Sequence, residues 1–163
     1  CPGAALSPAA NEFKTSGMKS TALLFLLAFG LVARATAADL APAGVVMFDH
    51  AQLDAAFAKG LPLLFNSGYK VSAGRRVVPG LVELHEHDTD LLYVTEGTAT
   101  FITGGTMVDA KATGPGEYRG TSITGGVIHH LTKGDLIVIP TGTPHWFSQV
   151  DGTFLYLIIK VTK

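Results

Sequence analysis

From Pro62 to the C-terminus the chain is a succession of short apolar or alternating runs broken by glycine. Candidate strands cover 62–66, 69–73, 76–87, 90–96, 98–103, 127–131, 135–139, 144–149 and 153–161. Gly97, Gly104-Gly105, Gly134, Gly142 and Gly152 lie between them. Few of these runs are long enough for a stable helix, and period-two alternation suits half-buried strands. Many strands at short intervals predict an all-β sandwich or barrel. A content of 47% hydrophobic residues with 19 Gly suits a packed, turn-rich domain and argues against long-range disorder.

One helix is expected ahead of the strands. Asp49 can cap it, with Gln52 three residues on closing a capping box. Phe48, Leu53, Ala56 and Phe57 then recur at helical spacing, which predicts a helix over 49–58 that Gly60 and Pro62 end. No repeat and no second domain is visible. Residues 104–126 read as a long Gly-rich connection, either a lid or binding loop or a hairpin excursion with no role of its own. Within it, Tyr118 and Arg119 could contact substrate.

The N-terminal part has a different character. Met18-Lys19-Ser20 opens a short basic stretch, Thr21–Val32 is an apolar run, and Ala35-Thr36-Ala37 is a small-x-small triplet. This is the layout of a secretory signal, and the apolar run falls short of the roughly 20 residues that span a bilayer. The expected division is an upstream flanking segment (1–17), a signal peptide (18–37), a helix segment (38–60) and a barrel (61–163). The expected location is secreted or periplasmic, with no stable membrane span. Cleavage after Ala37 would remove Cys1, the one cysteine, and so exclude disulfide and thiol chemistry from the mature chain. With 12 basic and 13 acidic residues and no basic tract, nucleic acid is a poor partner. Export also argues against cytosolic cofactors such as NAD.

Three of the six histidines fall in two stretches, and His129 and His130 come just before the second. The first is His85-Glu86-His87-Asp88-Thr89-Asp90. On a strand, residues two apart share a face, so His85 and His87 are expected to project together. Asp90 shares parity with the core candidates Leu92 and Val94. Glu83 shares parity with His85 and could orient a ligand or sit at the barrel mouth. The second stretch is Gly134 to Gln149, in which an apolar strand enters Pro140-Thr141-Gly142 and His145 opens the next strand. His129, by alternation with Leu131, has two readings: an acid/base or fifth ligand in the pocket, or a strand histidine satisfied by a hydrogen bond. Trp146 is the best aromatic candidate for substrate contact, and Gln149 lies four residues beyond His145.

These two stretches resemble the paired motifs of the cupin superfamily, in outline G-x5-H-x-H-x3,4-E-x6-G and G-x5-P-x-G-x2-H-x3-N. In the second, Gly134, Pro140, Gly142 and His145 match, with Gln149 where the motif has Asn. In the first, His85, His87 and Gly97 match. Gly80 is one residue too near His85, and the carboxylate, Asp90, comes after two residues rather than three or four while keeping the six-residue gap to Gly97. The resemblance covers about residues 60–163. It implies a small jelly-roll β-barrel holding one metal ion through His85, His87, Asp90 and His145. A metal-free barrel with hydrogen-bonded histidines is the competing reading.

Three imidazoles and a carboxylate suit Cu, Mn, Fe, Zn or Ni and exclude Ca and Mg. The leading expectation is an exported, oxygen-activating oxidoreductase of dioxygenase or oxidase type, with His129, Trp146 and Gln149 shaping the pocket. Its partners would be O2 or peroxide and an organic substrate derived from plant biomass, either a small molecule or a polysaccharide cleaved oxidatively at an open copper site. An open, shallow site would favour the polymer, a buried pocket the small molecule. The alternatives are a non-redox metal lyase or isomerase, and a sugar- or small-molecule-binding cupin without catalysis. A homodimer through strand edges is compatible with a jelly roll.

Overall fold

The computed structural model describes residues 44–163. The upstream segment, the predicted signal and the first residues of the predicted mature chain lie outside the described residues. Helix α1 (His50–Lys59) forms where the capping box predicts it. The Asp49 carboxylate accepts from the Gln52 amide at 2.8 Å, and the Asp49 amide donates back to the Gln52 side chain at 2.9 Å. Gly60 ends the helix in a left-handed conformation.

Eleven strands follow: β1 (Pro62–Phe65), β2 (Tyr69–Arg76), β3 (Val82–His85), β4 (Asp88–Thr103), β5 (Thr106–Val108), β6 (Lys111–Gly114), β7 (Glu117–Gly120), β8 (Ser122–Thr124), β9 (Val127–Thr132), β10 (Leu136–Ile139) and β11 (His145–Thr162). All pairings are antiparallel. The two long strands, β4 and β11, run side by side and organise the rest. Their outer halves, Asp88–Glu96 and Leu155–Thr162, are flanked by β10 on one side and by β2 and β1 on the other. Their inner halves, Thr98–Thr103 and His145–Asp151, are flanked by β9 on one side and by β3, β7 and β6 on the other. This is a jelly roll made by two strands that each serve both sheets.

The change of sheet is made at Gly97, which joins what the sequence suggests are two strands. Its φ is +82°, and a β-carbon there would stand 2.3 Å from the Thr153 carbonyl oxygen, so only glycine fits the corner. On β11 the matching corner is the register shift between Asp151 and Leu155. Side chains from both halves meet in one core: Leu92 and Val94, Ala99 and Phe101, Leu131, Ile139, Phe147, Phe154 and Tyr156. Phe147 is central, with ring centroids 4.5 Å from Phe101, 5.5 Å from Phe154 and 5.3 Å from Tyr156.

Two expectations are corrected by the structure. Residues 76–87 are not one strand. The chain leaves β2 at Arg76 and re-enters as β3 at Val82, because Pro79 has no amide proton to give a ladder. Gly80 instead donates to Phe147 O at 3.1 Å, and its carbonyl accepts from the Trp146 indole at 2.8 Å. Residues 104–126, read as a connection between strands, themselves form strands: β5 pairs with β8, and β6 and β7 extend the sheet beyond β3. The excursion thereby lays Glu117 and Arg119 beside β3.

Candidate metal centre

The site is assembled from strand register. His145 stands opposite Glu83 across β11 and β3, and His85 follows Glu83 by two on the same strand. Register partners and i, i+2 neighbours share a face, so the three side chains form one patch. One ligand atom from each lies within 4.8 Å of the others. Asp90, on β4, completes the group: its Oδ2 is 3.6 Å from His85 Nε2 and 3.7 Å from His145 Nε2. The two motif stretches are also joined through the backbone, since the Gly142 amide donates to the His85 carbonyl at 2.7 Å.

Hydrogen bonds select which nitrogen of each ring is free. His145 Nδ1 lies 3.0 Å from the Thr143 carbonyl oxygen, which only accepts, so Nδ1 carries the proton and Nε2 of the neutral ring keeps its lone pair. His85 Nδ1 lies 2.8 Å from Glu117 Oε2, which fixes the same tautomer. Among the described residues, His85 Nε2 is buried and has no hydrogen-bond partner, and neither has Asp90 Oδ1. Buried polar atoms are rarely left unsatisfied, so an orphaned lone pair among two carboxylates and a second imidazole fits a cation. Glu83 is oriented likewise: Arg76 Nη2 holds its Oε1 at 3.0 Å, leaving Oε2 3.6 Å from His85 Nε2.

Charge and burial act together on these groups. Burial pushes the Glu83 carboxyl up, but His85, Arg119, His145 and Arg76 outweigh it and hold the pKa at about 2. Burial alone would lower the pKa of His85, yet the attraction of Glu83, Asp90 and Glu117 raises it above 6.5. His145 is lowered, chiefly by burial, and so favours the neutral form a metal requires. Asp90, 1% exposed, is joined to the ammonium of Lys160 at 2.6 Å. A cavity of about 390 Å³ opens onto the group, lined in part by Phe65, Lys70, Glu83, His85, Lys160 and Arg119.

The structure thus gathers His85, Asp90 and His145 and adds Glu83. It places His87 elsewhere. β3 ends at His85, and His87 sits exposed in the bend before β4, where a β-carbon on Gly116 would stand 2.7 Å from its ring. His129 bonds Thr103 Oγ1 at 2.9 Å. Trp146 turns its indole to Gly80, on the face opposite His145, and Gln149 is exposed, with its amide 3.1 Å from Asp151. None of these four joins the group. A different count of the first motif finds Glu83. Six residues separate Gly97 from Asp90, and four more separate Asp90 from His85 as the second histidine. The first-histidine position then falls on Glu83, and His87 lies in the spacer. Glu117 has no such signal, because it reaches His85 from the Gly-rich excursion.

Comparison with known proteins agrees with this architecture. No curated protein matches the chain. Among solved structures, the protein BH2720 from Bacillus halodurans is similar at 17% identity and a TM-score of 0.56, over 77% of this chain and 86% of that one. Hydroquinone 1,2-dioxygenase PnpCD, solved with Cd2+ and 4-hydroxybenzonitrile, is similar at 16% identity and a TM-score of 0.51, over 74% of this chain and 81% of that one. These likenesses are ones of fold. The family model described as Cupin matches residues 40–162, and with the jelly roll and the second-motif turn in place, this chain belongs to the cupin family.

Proposed function

We propose that this protein is a metal-dependent cupin enzyme that oxidises a small organic substrate with dioxygen. One observation carries the reading: ligand atoms of His85, His145 and Glu83 lie within 4.8 Å of one another, with His85 Nε2 3.6 Å from Glu83 Oε2. Two imidazoles and one carboxylate are the donor set associated with non-haem iron(II) oxygenases, and manganese also suits it. A redox-active ion held there supplies the electron transfer that dioxygen chemistry needs, with positions left for substrate. Asp90 stands as a fourth donor or, held by Lys160, as a neighbouring charge.

The chain's own residues prepare the site. Glu117 and the Thr143 carbonyl fix the two rings, and Arg76 aims Glu83. Phe101, fully buried with its ring centroid 6.0 Å from His145, keeps water from the inner side. His85 and His145 are 4% and 6% exposed, and His85 lines a cavity together with Glu83 rather than standing on a flat surface. That burial favours a small molecule over a polysaccharide and iron or manganese over an open copper site. The dioxygenase activity of the structurally similar hydroquinone enzyme is compatible with a phenolic substrate. The apolar stretch at 21–32 and the triplet after it support action outside the cytoplasm.

Lys160 favours a second reading. Its ammonium already neutralises Asp90 from within the pocket, which suits a binding cupin that needs no metal. The test is elemental analysis of the purified protein, followed by oxygen uptake with iron, manganese, copper or zinc and a panel of phenolics and organic acids. Oxygen consumption with iron or manganese is expected. Turnover with zinc and no oxygen uptake would indicate a lyase or isomerase, and absence of any transition metal would leave the binding role.

A further inference from the structure

The cavity over the candidate centre is unusual in its charges. Its lining carries three carboxylates, Glu83, Asp88 and Glu117, and three cationic side chains, Lys70, Arg119 and Lys160, while Asp90, paired with Lys160, and Arg76, paired with Glu83, add one of each sign beside it. Four against four leaves no net charge. A divalent ion held there would bring two positive charges, in a pocket whose floor is buried. An unbalanced charge in such surroundings is costly unless a counter-ion arrives with the substrate.

We infer that the substrate is an anion, a carboxylate on a small apolar body, and that Lys160 is the residue that receives it. The inference rests on the metal reading above. An ammonium has three donors, and among the described residues the one hydrogen bond of the Lys160 side chain goes to Asp90. The spare donors belong to a side chain that lines the cavity and is held close to the centre through Asp90. Lys70 is similar in kind but lies further out, 38% exposed and paired with Asp88. Phe65 and Ile158 line the same cavity and offer an apolar wall to the carbon skeleton. Lys160 is then a specificity residue: it selects a charged substrate over its neutral isostere.

The test uses the full chain loaded with cobalt(II), with benzoate and benzamide as probes and calorimetry as the readout. A charge-assisted hydrogen bond predicts that benzoate binds about tenfold more tightly than benzamide. Lys160→Met keeps the aliphatic stem and removes the charge. It should abolish that preference, with cobalt kept saturating because loss of the ammonium frees Asp90, a candidate donor, and alters cobalt affinity. Should Lys160→Met not fold with Asp90 left unpaired, Lys160→Met/Asp90→Asn removes both partners, and the same loss of preference is expected. The wild-type protein gives a reading that needs no variant: benzoate should bind the cobalt form about tenfold more tightly than the metal-free form. Cobalt binding with no preference for benzoate, or a preference that survives loss of Lys160, overturns this inference alone. Failure of the wild type to bind cobalt overturns the metal reading and this inference with it.

Discussion

His85 and Glu117 stand directly opposite one another across β3 and β7, and the Glu117 carboxylate holds His85 Nδ1 at 2.8 Å. The pair converts a surface hairpin into a support for the centre. A histidine that donates its second ring nitrogen to a carboxylate is fixed in tautomer and made more basic toward a metal. Glu117→Ala should therefore weaken metal affinity by about 10- to 100-fold, the range typical of such supports. Glu117→Gln should weaken it less. Competition with a chromogenic chelator measures both, and unchanged affinity would remove Glu117 from the site.

Glu83 and His87 separate two accounts of the ligand set. Glu83→Ala, His85→Ala and His145→Ala should each lower metal uptake by more than about tenfold, because each removes a converging donor. His87→Ala should change it by less than about threefold, as expected of an exposed side chain that makes no contact with the group. Metal content after dialysis distinguishes these outcomes.

Acid should act on metal binding through His85 first. Its pKa is raised above 6.5, so the proton competes with the ion as pH falls through that raised value. Affinity is expected to be full well above it and to decline on acidification from above pH 6.5. His145, lowered by burial, stays neutral to lower pH and sets no earlier limit. Isothermal titration across pH 5–8 in one buffer series follows the decline, and a pH-independent affinity would contradict it.

The metal-free protein should show a separate acid limb from Glu83. Its folded pKa of about 2 lies below the ordinary 4.5, so its contribution to stability is present above pH 4.5 and is lost as pH falls toward 2. The size is on the order of 3 kcal/mol, an upper figure for a group this coupled to its neighbours. Urea unfolding of Glu83→Gln in the presence of chelator should lose that part of the pH dependence while keeping what comes from Asp88, whose pKa is also lowered.

Gly97→Ala tests the corner on which the jelly roll turns. At φ +82° and 2.3 Å from the Thr153 carbonyl, a β-carbon meets backbone rather than a yielding side chain. Destabilisation of more than about 2 kcal/mol is expected, read as a fall in the urea midpoint. Gly104→Ala, at φ +71° but with nothing within 4 Å, should cost only the backbone strain.

Local chemistry in the sequence determined a good deal. The capping box placed α1 to within a residue, because both bonds of the box lie within three residues. Glycines and alternating apolar residues marked the strands, and the Pro140-Thr141-Gly142 turn with His145 marked the second half of the centre. What only the tertiary structure decided is which neighbours of His85 face inward. Alternation holds only while the strand persists, and β3 stops at His85, where a hydrogen bond from the Glu86 amide to the Gly116 carbonyl and one from the Gly142 amide to the His85 carbonyl take over from a continuing ladder. The next two residues form a bend, so His87 loses the face it would inherit and Glu83, opposite His145, keeps it. Glu117 and Lys160 arrive at the centre by pairing of strands far apart in the chain. Such register is set by contacts with distant partners, and no window of local sequence contains it.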